Sequence, residues 1–346
     1  MTKTDTSFLR ACANSSILRR CIGAYLFPVR RIWHHLPASW RLHPLGRAYG
    51  RHLHGLARFH ANRKQYFATF FLRNRAELEL MRRLLDQRPH GSRLDMSVLA
   101  CSKGAEVYSM AWAIRSTRPD LQLNIHAVDI SREIVDFAAR GIYSLDRSDS
   151  LAPSNEEGGK EIGDINWDTS RDQNAWIFER MTNQELDTLF DVEDNQASIR
   201  PWLKHGITWL CGDAGDSKLQ DAIGPQDIVV ANRFLCHMEP ANAQSCLRNI
   251  GRLVKPGGYL FVSGIDLDVR KRVALEMGWK PVTDLVREIH EGDASVRRGW
   301  PLEYWGLEPI DDRRPDWQIR YASVFQVGEK VPCECATIAG AEHAGR

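Results

Sequence analysis

No apolar run in the 346-residue sequence is long enough to cross a bilayer. The nearest candidate, CIGAYLFPV near the N-terminus, is too short and is broken by Pro28. No transmembrane segment is therefore expected. No internal repeat is present, which excludes repeat architectures. No small-residue cleavage site marks a secretion signal. The eight cysteines (Cys12, Cys21, Cys101, Cys211, Cys236, Cys246, Cys333 and Cys335) are accordingly read as reduced thiols of a cytoplasmic protein. Cys333-Glu-Cys335 lacks the partner ligands of a zinc centre, so no metal site is expected.

Acidic residues are almost missing from positions 1–64. Asp5 stands alone there against Arg10, Arg19, Arg20, Arg30, Arg31, Arg41, Arg47, Arg51, Arg58, Arg63 and Lys64. The net charge of the whole chain is only +2, so this asymmetry is local. Such a segment suits an acidic partner or a membrane surface, or is simply a solvated helical face. It also mimics an organelle transit peptide. No aromatic platform or nucleic-acid motif accompanies the charge, and nucleic acid is set aside as a partner.

Strands alternating with helices follow. Positions 1–64 read as short helices broken by Pro28, Pro37 and Pro44, and 73–86 as an amphipathic helix carrying Leu78, Met81, Leu84 and Leu85. Strands are expected at 96–101, 123–129, 207–213, 226–232 and 259–264, with helices between them. The Pro256-Gly257-Gly258 turn is read as closing the helix before the last of these. LEYWGLEPI and WQIRYASVFQV read as a terminal antiparallel strand pair packed by Trp300, Trp305 and Trp317, with one of the three also a candidate to line an acceptor pocket. The pattern implies an α/β fold with a mostly parallel sheet covered on both faces. The polar stretch 146–172 reads as a loop or insertion, and the small-residue tail 331–346 as disordered.

The segment SVLACSKGAEVYSMAWAI carries the chemistry. A buried strand ends in a single-glycine turn at Gly104, and a helix begins with Glu106 in its first turn. Ligands of open parallel sheets bind at the carboxyl ends of strands. A dinucleotide fingerprint needs three glycines so that a pyrophosphate can reach the helix N-terminus. One glycine and an acid repel phosphate and suit a cation. S-adenosylmethionine offers an α-ammonium, a sulfonium and no phosphate. Asp129 at the second strand end can accept ribose hydroxyls, and Asp213 at the third can accept from an adenine amino group. Each acid alone is equally a solvated strand end or a helix cap; together, beside the turn, they favour the cationic nucleoside.

ACSKGAEVYSMA is similar to the A-C-S-T-G-E-E-P-Y-S-I-A signature of the CheR-type chemoreceptor methyltransferases. AVDISREIVDFAARGIYS, TFFLR (69–73), ITWLCGD and DIVVANRFLCHM resemble further segments of that family, in order, over roughly 64–265. The resemblance implies a Rossmann-like class I methyltransferase fold. Its sheet would be mostly parallel and seven-stranded, with an antiparallel last strand. The domain would span 65–330, with a variable insertion or subdomain at 144–205, after a basic helical region at 1–64. It implies S-adenosylmethionine as cofactor. Glu106 would hold the methionine moiety and Asp129 the ribose, with Thr69, Arg73, Ala100, Ser102, Gly104, Ile130, Asp213, Ala214 and Asn232 around the donor. The departures are Lys103 and Ala105 in the glycine turn, the swapped Asn232-Arg233 pair, and His237 where the family has tyrosine. They fall on the acceptor side.

A carboxylate acceptor needs no base, only a cation to orient it, which suits Arg73. An amine or hydroxyl must lose a proton, and His237 is then the candidate base, with Arg233 as a second acceptor contact. Each of these two is also readable as structural. The acceptor is expected to be a carboxylate, protein glutamate in the resembled family. A small-molecule O or N acceptor, a docking module without catalysis and a nicotinamide oxidoreductase are the competing readings. Tyr108 and Tyr143 are read as packing.

Overall fold

The computed structural model describes residues 16–61, 63, 67–146, 176–293, 296 and 299–328. The helices are α1 (Ser16–His35), α2 (Ala38–Leu42), α3 (Pro44–His60), α4 (Arg75–Asp86), α5 (Ala105–Thr117), α6 (Arg132–Arg140), α7 (Asn183–Leu189), α8 (Pro201–Lys204), α9 (Leu219–Ile223), α10 (Pro240–Leu253), α11 (Leu267–Glu276), α12 (Val286–Gly292) and α13 (Trp317–Tyr321). The strands are β1 (Arg93–Leu99), β2 (Gln122–Asp129), β3 (Ile142–Ser144), β4 (Phe190–Glu193), β5 (Gln196–Ile199), β6 (Ile207–Cys211), β7 (Gln226–Val230), β8 (Val254–Phe261), β9 (Lys280–Pro281) and β10 (Val324–Gln326). The expected loop over 146–172, apart from its first residue, and the tail 331–346 lie outside the described residues.

Seven strands form one sheet in the order β6-β2-β1-β7-β8-β10-β9. β1, β2, β6, β7 and β8 run parallel, and β10 runs antiparallel to both β8 and β9. This is the expected Rossmann-like class I methyltransferase arrangement. The carboxyl halves of β1 and β7 are mostly apolar because both faces are covered: Met96, Val98, Leu99, Ile228, Val229 and Val230 are all buried. The chain winds outward from β1 through β2 to β6, then returns to β7 on the other side of β1. The strand order thus reverses between β1 and β7, the switch point at which such sheets hold ligands.

Local signals set the element ends. Asn74 caps α4, accepting from Glu77 N at 3.2 Å. Ser131 caps α6, which stops at Gly141 with φ +61. Thr182 and Glu185 form a reciprocal capping box at α7. A second, three-stranded antiparallel sheet, β3-β5-β4, carries Tyr143 and Phe190 against Phe71 and Phe178. Phe71 lies 5.2, 5.0 and 5.5 Å from those three rings and is fully buried.

Three expectations are corrected. Pro28 does not break α1, which continues to His35. The stripe Ile22, Leu26, Val29, Trp33 and Leu36 packs with Leu53 and Ala57 of α3, and that tertiary contact holds the helix through the proline. Pro37 and Pro44 do punctuate the chain, at the starts of α2 and α3. The strand expected at 259–264 begins at Val254 and runs through Pro256-Gly257-Gly258. A register shift between Gln226 and Ile228 and φ +80 at Gly257 accommodate the extra residues as a bulge. The terminal strand pair is absent: 302–310 is irregular, 317–321 is α13, and β10 instead pairs with β8 and β9. Arg320 is the cause. It is buried and bound to Glu308 at 2.8 Å and Asp268 at 2.7 Å, so the polar position in WQIRY is interior rather than solvated.

Candidate functional site

The carboxyl ends of β1, β2, β6 and β7 share one rim. After β1, Ala100, Ser102 and Gly104 all take left-handed backbone, with φ +53, +50 and +82. For non-glycine residues this conformation costs about 1 kcal/mol or more each, and such strain concentrates at functional sites. At Gly104 a Cβ would come within 3.0 Å of Trp209 and 3.1 Å of Ala138, so only glycine closes the turn. Asp129 is buried and locks the turn from β2. Its Oδ2 accepts from Ser102 N at 2.8 Å, and its Oδ1 accepts from Ser131 N at 3.2 Å. Each carboxylate oxygen has a second lone pair, so hydroxyls can still be accepted. Ile130 beside it is a large apolar side chain left 56% exposed, an open flat contact for a ring. Asp213 is exposed, with Oδ1 turned to Gly215 N at 2.7 Å, and Ala214 beside it is half-buried.

The segment 67–73 is strapped across this turn. Ser102 Oγ donates to Phe67 O at 2.7 Å, and Leu72 N donates to Ser109 Oγ on α5 at 2.9 Å. Arg180 donates to Arg73 O at 2.6 Å, and Phe71 is fixed in the aromatic cluster. Leu72 is again left-handed, at φ +52. The strap brings buried Thr69 and half-buried Arg73 to the site. The Arg73 guanidinium donates to Ala68 O at 3.0 Å and lies 5.3 Å from the Phe70 ring centroid. Among the described residues no carboxylate forms an ion pair with it. Burial and the nearby Arg233 lower its pKa to about 10, which leaves it cationic at neutral pH.

Asn232 follows β7 on the same rim, with both ends of its amide engaged by the protein. Its Nδ2 donates to Glu77 Oε1 at 2.7 Å and Glu106 Oε1 at 2.8 Å, while Oδ1 accepts from Ser263 N and Ser263 Oγ at 2.9 and 2.8 Å. Every polar valence of the amide is thereby used, and it clamps two acids together. Burial, then the charge of Glu106, raises Glu77 to about 8. Burial also raises Glu106, but Arg73 and Arg233 oppose it. The two acids are linked through Asn232; burial disfavours charge on both, and Arg73 and Arg233 favour it on Glu106.

A second group gathers after β7. Arg233, left-handed at φ +59, forms an ion pair with Asp293 and lies 5.4 Å from the Trp305 ring centroid. His237 meets Trp305 edge-on at 5.7 Å, and its Nδ1 lies 3.3 Å from Tyr304 Oη. Burial, then Arg233 and Arg63, lower His237 to about 4, so it is neutral at physiological pH. Arg63 grips the backbone on both sides of His237, donating to Cys236 O at 3.0 Å and Met238 O at 2.6 Å. Its other nitrogen meets Asp266 at 3.2 Å, and the guanidinium lies 5.3 Å over Tyr304.

The residues expected around a donor thus come together on one rim, as do Arg73, Arg233 and His237 beside it. Tyr108 and Tyr143 pack as expected, their hydroxyls donating to Ala138 O at 2.8 Å and Lys103 O at 2.7 Å. Trp300 instead packs edge-on against Trp33 of α1 at 5.9 Å, and Trp305 moves into the site. Sequence reasoning missed Glu77, Arg63, Asp293 and Tyr304. Glu77 alone had a usable signal: an acid inside the apolar stripe of α4 must be buried with a partner. No group of metal-ligand side chains is found among the described residues.

Residues 68–157 match the CheR methyltransferase S-adenosylmethionine-binding domain family, and residues 180–262 match a methyltransferase domain family. The chain is an S-adenosylmethionine-dependent methyltransferase. The CheR type is the family matched over the segment that carries the strap, the glycine turn and Asp129. No curated protein matches. Similar solved structures include the N-methyltransferase NodS from Bradyrhizobium japonicum WM9 with S-adenosyl-L-homocysteine, 13% identical, covering 61% of this chain and 78% of that one at a TM-score of 0.31. Another is magnesium protoporphyrin IX methyltransferase (ChlM) from Synechocystis PCC 6803 with bound S-adenosylmethionine, 13% identical, covering 80% and 88% at a TM-score of 0.32. Scores this low align no site residue. The local chemistry fits the cofactor on its own terms: a single-glycine turn, the Glu106 carboxyl in the first turn of α5, a buried Asp129 with spare lone pairs and an exposed Ile130.

Proposed function

We propose that the chain transfers the methyl group to a carboxylate, with the donor held by Glu106 at its α-ammonium, Asp129 at its ribose hydroxyls and Asp213 at its adenine amino group. Gly104, Ala100 and Ser102 supply the close backbone approach, Ile130 and Ala214 the apolar contact, and Thr69 closes the strap side. Asn232 acts through Glu106, fixing its orientation. When bound, S-adenosylmethionine would supply an electrophilic methyl group on a sulfonium, with a neutral thioether as the leaving group. The chain's own residues then have to align the acceptor and exclude water.

Arg73 carries the carboxylate reading. It is a half-buried guanidinium beside the donor turn, cationic at neutral pH, with no carboxylate bound to it among the described residues. A planar two-pronged donor in that position grips an acceptor carboxylate, which is already ionised and needs no base. A protein glutamate is the acceptor of this kind in the resembled family. A domain over 65–330, preceded by the basic helices, is the unit that would perform the reaction.

One observation favours a second reading. His237 is neutral at physiological pH and lies beside Arg233 and Tyr304, so its ring can take a proton from an amine or hydroxyl, as a weak base because burial lowers its basicity. Incubating the protein with methyl-labelled donor and cell extract separates the two. Label released as methanol by mild alkali is the expected result. Label that survives alkali would sink the carboxylate reading and leave His237 as the base.

A further inference from the structure

Helix α1 is apolar on two faces. Ile22, Leu26, Val29, Trp33 and Leu36 form the packed one. A second stripe, Ile17, Cys21, Ala24, Pro28 and Ile32, repeats at helical spacing on the other side, and every member is exposed. Ile17 and Ile32 are 72% and 61% exposed. The next two helices also expose large apolar side chains: Trp40 and Leu42 in α2 and Leu45 at the start of α3, at 63%, 62% and 71%. Isolated exposed apolar residues are ordinary, but an exposed apolar stripe along most of the length of one helix is not.

Arginines are set among these side chains, with Arg20 and Arg31 exposed beside the stripe. Positions 16–61 contain eight arginines and no acid. Next to Leu42, Arg41, Arg47, Arg51 and Arg314 line a small depression open to solvent. Two acids also line it. Glu308 is engaged with Arg320 and Tyr321, and Asp311 lies 3.9 Å from Arg51. The Nε of Arg41 is buried with no hydrogen-bond partner among the described residues. That nitrogen can donate to an acceptor from outside the chain.

We propose that α1, α2 and the start of α3 dock on the surface of an anionic bilayer, with the arginine-lined depression receiving a phosphodiester headgroup. The proposal is independent of the acceptor's identity. Charge of one sign draws the surface to acidic lipid, and aliphatic and indole side chains enter the headgroup boundary. A nucleic acid matches the charge but gives Ile17, Ile32, Leu42 and Leu45 nothing to bury against. No helix among the described residues is long and apolar enough to cross a membrane, so the segment lies on the surface.

The test is co-sedimentation of the full chain with phosphatidylcholine vesicles, with and without about one-third phosphatidylglycerol. Binding is expected only with phosphatidylglycerol, and weaker as salt rises. Arg20→Gln with Arg31→Gln should lower the partition coefficient about tenfold or more. Ile32→Asp with Leu45→Asp should do likewise, while circular dichroism and donor affinity stay unchanged. Arg41→Gln, which tests the depression, should weaken binding to phosphatidylglycerol vesicles several-fold. No binding to either vesicle, or equal binding by the variants, overturns the proposal. So does a wild-type dimer in light scattering that the Asp variants break, or full suppression of vesicle binding by millimolar inorganic phosphate.

Discussion

The two halves of the rim are built in different ways. The donor half is held by backbone. Left-handed Ala100, Ser102 and Gly104, a carboxylate on Ser102 N and a strap tied to α5 leave little to adjust. The acceptor half is held by long side chains from separate loops, with Arg63 bridging 236–238, Asp293 on Arg233, and Tyr304 and Trp305 on His237. A short local segment can fix a generic cofactor, whereas a specific substrate surface is assembled from distant parts of the chain. Mutations in the two halves should therefore separate donor affinity from turnover.

The largest separation is expected at Arg73. Arg73→Ala should lower kcat about a hundredfold while changing donor affinity little, because it removes the group that orients the acceptor. Single-turnover rates at saturating donor measure this. A matched loss of donor affinity would move Arg73 into the donor half.

Arg63 comes next. Arg63→Ala frees the backbone on both sides of His237, and a loss of about tenfold in kcat is expected at constant donor Kd. Unchanged kcat would make Arg63 a tie between the helical region and Asp266 and nothing more.

Stability against pH gives a smaller, signed effect. His54, His237 and His290 are depressed from 6.5 to about 4, chiefly by burial. In the unfolded chain they gain protons near 6.5, so their contribution to stability is lost as pH falls from 6.5 through 4. Glu77 runs the other way. Its folded pKa is raised from 4.5 to about 8, so its contribution is full below 4.5 and is lost as pH climbs through 8. Urea midpoints should therefore be highest near neutrality and fall on both sides. Glu77→Gln should flatten the alkaline side and leave donor affinity within about twofold, since a protonated acid and an amide present a similar group. A retained alkaline slope would place the buried proton elsewhere.

The same contrast explains how much could be read in advance. β1, the glycine turn, Glu106 and Asp129 lie within one short βαβ unit, where spacing alone fixes the geometry. Arg63, Glu77, Asp293 and Tyr304 meet their partners across 173, 155, 60 and 67 positions, and no local pattern encodes such pairings. Pro28 inside α1 and Arg320 inside the core misled for the same reason. Tertiary packing overrode the local preference for a break in one case and for a solvated charge in the other.

Titration calorimetry of S-adenosylmethionine into the native protein and its Glu106→Gln variant bears most directly on the donor half. The native chain should bind the cofactor and the variant should bind it about thirtyfold or more weakly, as expected when a charged hydrogen bond is lost. Equal affinity in both would remove the carboxylate from the cofactor's ammonium and contradict the assignment of the rim.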